Sequence, residues 1–335
     1  MKLNDHFKSF FGNISLNPTR EDRINSALSA WENILKNDDE IKSYFKDFYK
    51  QGSYATGTAI VPTGSNEFDV DTILLLDIGD KYDAKGLIDF VYNRMKTKEA
   101  YKDKLIKKDR CIRVNYVGDF HMDIVPAKPS DGEYIYISSK SANEWVETNP
   151  EGFTRWFKDK NSENSYKLVN VTKIIKFWRD NKVGKDTAPK SILLTALIGS
   201  YIQSENSDAE TLVLTLENMV DKIDEILINE EPYVQNPSLE GENLARDWDK
   251  NKYDIFKTKL EKFAKDAREA LDEEEKGESI KKWQGIFGDK FPSELSEAKN
   301  FSEKVRAGNV VVGTDGLLNT NKGQHIPPHR FYGQC

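Results

Sequence analysis

The spacing of apolar positions changes along this chain, from short strand-like runs in its first half to long helical stripes in its second. Before either comes one amphipathic segment. From Thr19 to Leu35 the residues Ile24, Leu28, Trp31 and Leu35 recur at helical spacing, and Asn17-Pro18-Thr19 provides a start signal. Ile41 to Tyr49 reads as a further helical stretch. From Gly52 to Pro126 strands surround a single helix at Lys85 to Lys96. Arg110 to Tyr116 and Phe120 to Val125 predict neighbouring strands about Gly118-Asp119, and Tyr134 to Ile137 predicts another short one.

Asp159 to Ser165 is polar and loop-like, and marks a domain boundary. Beyond it the pattern predicts helices over Tyr166 to Asn181, Lys190 to Gln203, Glu210 to Asn229 and Leu244 to Glu275. Trp156, Trp178, Trp248 and Trp283 are expected as core anchors, and the acidic run Asp272 to Glu275 as a solvated helix end. Periodicity fades from Gly308, so the tail is expected to be partly extended. The pattern is that of an α+β chain, strand-rich first and mostly helical after.

Composition narrows the function classes. A chain of 335 residues can bury a sizeable core. Its longest apolar run, Ile192 to Ile198, is far short of the roughly 20 residues of a membrane span. The N-terminus has no signal-peptide pattern, and the two cysteines, Cys111 and Cys335, form no C-x-x-C pair. These features lead to the expectation of a cytoplasmic protein without a membrane partner. The net charge of −7 argues against duplex DNA as a primary ligand, which needs a basic footprint. His325 and His329 are separated by Pro327-Pro328, which prevents them from sharing a helix face as metal ligands.

The chemistry concentrates in Gln51 to Asp77. Gly52-Ser53 offers small residues whose backbone can approach a phosphate closely. Asp69-Val70-Asp71 then runs into Ile73-Leu74-Leu75-Leu76. On a strand Asp69 and Asp71 face the same way, and two such carboxylates repel unless a positive charge lies between them. Mg²⁺ suits that position, because it takes oxygen ligands and shares them with substrate phosphates. Asp123 stands among apolar neighbours in Phe120-His121-Met122-Asp123-Ile124-Val125-Pro126 and needs a partner of its own. The predicted hairpin sets it beside the Asp69/Asp71 strand.

Gly-Ser, then Asp-x-Asp, then a third Asp on a later strand resembles the DNA polymerase β-like nucleotidyltransferases. The strings GSYATGT, FDVD and HMDIVPA resemble the CD-NTases, bacterial relatives of animal cyclic GMP–AMP synthase and of oligoadenylate synthase. Lys173 to Trp178, Pro189 to Leu194, and Trp283 to Gly288 followed by Phe291-Pro292 resemble later family elements in the same order, so the likeness spans residues 40 to 292. It implies an N-terminal helical segment (1–40) on both lobes, a nucleotidyltransferase core with a mixed sheet (41–162), an α-helical bundle domain (163–307) and a tail (308–335).

The resemblance also implies a reaction and its residues. NTPs would be condensed into a cyclic di- or trinucleotide second messenger with release of pyrophosphate, in antiphage signalling. Asp69, Asp71 and Asp123 would hold two Mg²⁺ ions, with Mn²⁺ as a substitute. Gly52 and Ser53 would hold the β/γ-phosphates, with Lys173, Lys176, Lys190 and Ser191 reaching the same triphosphate. Alternative readings are a linear 2′-5′ oligonucleotide synthase or RNA-end nucleotidyltransferase, and an inactive nucleotide-binding scaffold. DNA sensing does not transfer, since no Cys/His cluster supplies a zinc insertion. A downstream effector would be reached through the cyclic nucleotide. The end Pro327 to Cys335 has two readings, a conjugation partner or packing of Phe331 and Tyr332 onto the helical domain.

Overall fold

A computed structural model describes residues 1–62, 67–118, 120–184 and 186–293, together with three two-residue strands in the tail. The first lobe is a seven-stranded mixed sheet. Its strands are β1 (Phe45–Lys50), β2 (Phe68–Leu76), β3 (Leu105–Lys107), β4 (Ile112–Tyr116), β5 (Phe120–Pro129), β6 (Ile135–Ser139) and β7 (Glu144–Thr148). The order is β1-β2-β5-β4-β3, with β6 and β7 continuing from the far end of β5. β2 and β5 are parallel, and every other pairing in the sheet is antiparallel.

Strand alternation sorts the side chains of this sheet into two faces. Val70, Leu74 and Leu76 of β2, Ile112 and Val114 of β4, and Met122 and Ile124 of β5 pack with helices α2 (Pro18–Lys36) and α4 (Ala84–Lys96). The opposite face carries Ile73, Val125, Ala127 and Ile135 in a small second cluster. Asp69, Asp71, Arg113, His121 and Asp123 occupy odd positions on the same strands and hence share that second face. Asn17 caps α2 by accepting from the Arg20 N–H at 2.9 Å, in agreement with the sequence signal.

The second lobe is helical: α5 (Pro150–Glu163), α6 (Leu168–Lys182), α7 (Ser191–Tyr201), α8 (Asp208–Lys222), α9 (Lys250–Asp272) and α10 (Lys276–Phe287). Trp178 stacks on Phe263 with centroids 4.6 Å apart, and Trp283 stacks on Phe287 at 5.8 Å. Trp178, Trp248 and Trp283 are buried, and Trp156 packs against this core. The first helix, α1 (Asn4–Ile14), inserts Phe7 and Phe10 into the same core, where they meet Trp283, Phe287 and Phe291.

Several sequence expectations need correction. Ile41 to Tyr49 is not a helix: Phe45–Lys50 is strand β1, paired antiparallel with β2. Its Phe48 is buried while its neighbours alternate outward, a strand pattern outweighing a weak helical one. Asp159 to Glu163, expected as part of a loop, closes α5, which Asn149 caps and which Phe153 and Phe157 anchor. The helix expected from Leu244 begins at Lys250, because Asp249 caps it there. The helix expected to Asn229 ends at Lys222 and gives way to a 3₁₀ turn at Ile223–Ile226. Among the described residues, no helix is long and apolar enough to cross a membrane. In the tail, Val311–Val312, Leu318–Asn319 and Gln324–His325 pair as short antiparallel strands. Phe331, Tyr332 and the rest of the chain end lie outside the described residues.

Candidate active site

A cleft of about 640 Å³ separates the two lobes. Gln51, Gly52, Ser53, Thr56, Thr58, Glu67, Phe68, Asp69 and Asp71 line it from the sheet lobe. Asn149, Phe153, Lys176, Arg179, Ser191, Ile192, Asn236 and Glu242 line it from the helical lobe.

The parallel register of β2 and β5 puts Asp71 directly beside Asp123. Burial raises the Asp71 carboxyl, and the charges of Asp123 and Asp69 raise it further, to about 6. Arg113 and Lys176 act in the opposite direction but do not cancel the effect. Arg113 of β4 is the antiparallel register partner of Asp123. Its Nε and Nη2 donate to the two Asp123 oxygens at 2.7 Å each, and Nη2 also donates to Asp69 Oδ1 at 2.7 Å. One guanidinium therefore neutralises two carboxylates through a fork that matches their geometry. With Asp123 and Asp69 drawn onto Arg113, no group of three or more His, Cys, Asp or Glu is arranged around a common cation position among the described residues.

Gly52 comes close to the same acids. Its φ is +63°, and a Cβ there would lie 3.0 Å from Asp71 Oδ2. Both the left-handed backbone and the close approach require glycine. Gln51 N–H donates to the Asp71 carbonyl at 2.9 Å, which ties the Gly-Ser segment to β2.

Lys176 is buried, and its Nζ donates to the Thr58 carbonyl at 3.1 Å. Burial lowers its pKa to about 8, and the neighbouring Arg179 charge contributes in the same direction. Arg179, one helical turn later, donates to the Pro189 carbonyl at 3.0 Å and to Ser191 Oγ at 3.1 Å. Ser191 thus lines the cleft at the start of α7, held by Arg179. Lys173 and Lys190 are not brought to the cleft wall. Lys173 Nζ donates to Ser15 Oγ at 3.1 Å, at the joint between α1 and α2. Lys190 pairs with Asp247 on an exposed surface.

Sequence reasoning missed Arg113, Arg179, Asn236 and Glu242. Arg179 could have been found by extending the Lys173/Lys176 spacing by one more helical turn. Asn236 and Glu242 lie in an irregular segment whose fold no periodicity announces.

Residues 1–161 match the Second Messenger Oligonucleotide or Dinucleotide Synthetase domain, and residues 165–299 match the Cyclic GMP-AMP synthase, C-terminal domain. The chain belongs to the CD-NTase family. A c-di-GMP synthase of Roseivirga ehrenbergii is 27% identical over 356 residues, covering 95% of this chain and 94% of that protein. A cyclic AMP-AMP-AMP synthase of Acinetobacter sp. is 26% identical over 303 residues, covering 88% of this chain and 87% of that one. Among solved structures, the Bradyrhizobium diazoefficiens CD-NTase CdnG in complex with GTP superposes with a TM-score of 0.71. It is 18% identical and covers 89% of this chain and 98% of its own. In this CD-NTase, as the family match implies, a mixed-sheet catalytic lobe faces a helical lobe across the acidic cleft.

Proposed function

We propose that this CD-NTase condenses nucleoside triphosphates into a cyclic di- or trinucleotide. A ribose hydroxyl of one NTP attacks the α-phosphorus of another. A new P–O bond forms, the bond to the β-phosphate oxygen breaks, and pyrophosphate leaves while the hydroxyl gives up its proton. A further such step in the same cleft closes the ring. The observation that carries this reading is the meeting of Asp69 and Asp71, the latter in register with Asp123, with the buried cations Lys176 and Arg179 at one interlobe cleft. The cyclic-nucleotide synthases among the relatives favour a ring over a linear product or an inactive scaffold.

Asp69, Asp71 and Asp123 are the proposed holders of two Mg²⁺ ions, with Mn²⁺ as a substitute. The donor set fits a hard cation, being all oxygen. The Asp71 carboxyl is raised first by burial and then by the charges of Asp123 and Asp69. When bound, such ions acidify the attacking hydroxyl and offset charge on the leaving group. The chain's own residues do the rest. Gly52 and Ser53 bring backbone to the triphosphate without a clashing side chain. Lys176 supplies a desolvated ammonium, and Arg179 holds Ser191 at the cleft wall. Catalysis then rests on alignment and charge offset, as in other phosphoryl transfers.

The proposed setting is cytoplasmic, with the product acting on a downstream effector in antiphage defence. The test is incubation with labelled ATP, GTP, CTP and UTP and Mg²⁺ or Mn²⁺. Chromatography and digestion by linkage-specific nucleases and phosphatase follow. A phosphatase-resistant product with stoichiometric pyrophosphate is expected. A product that loses terminal phosphates to phosphatase would establish a linear one instead, and no product at all would favour the scaffold.

A further inference from the structure

Besides the acids of β2, the carboxylates of Glu67, Asp180 and Glu242 line the cleft, Glu242 from the helical lobe. The Glu242 carboxylate is held in place from several directions. Asn236 Nδ2 donates to Glu242 Oε2 at 2.6 Å, and Arg246 Nη1 donates to Oε1 at 2.8 Å. Asn236 is itself buried, and its Oδ1 accepts from the Ser238 N–H at 2.9 Å. The Asn236 N–H donates to the Glu242 carbonyl at 2.9 Å, and Gln235 bridges Asn243 in antiparallel fashion. Asn149 Nδ2 anchors this loop to the start of α5 through the Ser238 carbonyl at 2.9 Å. The same cleft also has apolar lining residues, Pro150, Phe153, Ala188 and Ile192.

We propose that Glu242 is a specificity-determining residue that reads the Watson–Crick edge of a guanine base. The inference rests on the nucleotidyltransferase reading and deepens it. An ionised carboxylate only accepts hydrogen bonds, with about four lone-pair sites, of which Asn236 and Arg246 use two. The remaining sites require donors from the ligand. Phosphate oxygens offer none and are repelled, which leaves the base and the ribose hydroxyls to meet this wall, and of these only the base carries sequence information. Guanine presents two adjacent donors, N1–H and N2–H₂, which match a carboxylate side-on. Adenine and cytosine present one amino group beside a ring acceptor, and uracil presents one N–H between two carbonyls. Each of these sets an acceptor against the carboxylate, an unpaired and repulsive contact. The apolar lining residues supply a surface for the purine face, and Asn236 fixes the acceptor beforehand, which limits the entropy lost on binding.

The experiment measures the affinities of the full chain for GTP, inosine triphosphate and ATP, and repeats them on Glu242→Gln. Inosine triphosphate keeps N1–H but lacks the N2 amino group. On the unaltered chain GTP should bind tighter than either analogue by about tenfold or more, the discrimination of a bidentate base contact. In Glu242→Gln the three affinities should converge to within about threefold, and the guanosine fraction of the product from mixed NTPs should fall. Equal binding of GTP, inosine triphosphate and ATP by the unaltered chain overturns the inference and leaves the nucleotidyltransferase reading standing. Retention of the preference in the variant overturns it as well. If the variant does not fold, the ligand series on the unaltered chain decides alone. A chain that binds none of the three overturns the inference, and the nucleotidyltransferase reading then stands or falls on the assay with all four NTPs.

Discussion

Replacing Lys176 by Met should make the free protein more stable and a poorer nucleotide binder. Lys176 is 4% exposed and has one hydrogen-bond partner, the Thr58 carbonyl at 3.1 Å. Its pKa falls from 10.5 to about 8. At about 1.36 kcal/mol per tenfold change, holding the charge in the fold costs about 3 kcal/mol. Met keeps the length and apolar stem but removes the charge. The Thr58 carbonyl loses its donor, which costs about 1 kcal/mol, so the net gain is about 2 kcal/mol at pH 7. The pH dependence follows from linkage. Because the folded pKa is below the unfolded one, the unfolded chain binds more protons between about 8 and 10.5. The penalty is complete below about pH 8 and disappears as pH rises to 10.5, so the variant's advantage fades across that window. Denaturant melts at pH 7, 9 and 10.5 measure it, with NTP titration alongside. Loss of a desolvated charge contact to phosphate should weaken NTP binding by roughly ten- to a hundredfold. A variant less stable than its parent at pH 7, with unchanged NTP affinity, would refute the reasoning and make Lys176 a structural residue.

Asp69→Asn with Asp71→Asn should abolish product while the fold survives, and normal turnover in a folded double variant, checked by circular dichroism, would end the two-metal proposal. Arg113→Met leaves Asp123 facing Asp71 without its fork, and should destabilise the protein by about 2–3 kcal/mol as well as lower turnover. Arg113→Lys, which cannot supply two parallel donors, should recover only part of each, and full recovery in melts and assays would show that charge alone matters. Duplex DNA should not stimulate synthesis, given the net charge of −7, and a strong length-dependent activation would overturn that expectation.

The acidic core was legible because strand chemistry is local. Asp69 and Asp71 are two apart, and the hairpin predicted around Gly118-Asp119 brings Phe120 back opposite Tyr116. The same register pairs Arg113 with Asp123, so this cation too was readable once the pairing had been counted through. Lys176 was placed on the triphosphate by the likeness of its helix to the family's, and Lys173, three residues earlier on the same face, came with it. Its neighbour Ser15 lies more than a hundred residues away in sequence, in a joint that no periodicity describes. Lys190 was lost to Asp247 for the same reason, a contact between segments with no shared pattern. Strand β1 was misread because six residues with one buried aromatic carry too little periodicity to separate helix from strand.

The packing of α1 against the far end of the chain has a consequence for biosynthesis. Phe7 and Phe10 are made before the rest of the core they join, and their partners Trp283, Phe287 and Phe291 follow some 280 residues later. At about 5–20 residues per second, the first helix waits tens of seconds with its aromatic face uncovered. The sheet lobe can assemble during that interval, since α2 and α4 supply its core without help from later segments. The helical lobe cannot close until α10 emerges. A nascent chain stalled before Lys276 should therefore show a protease-resistant first lobe and a chaperone-accessible first helix, so that the emergence of α10 becomes the step that completes the helical lobe facing the cleft.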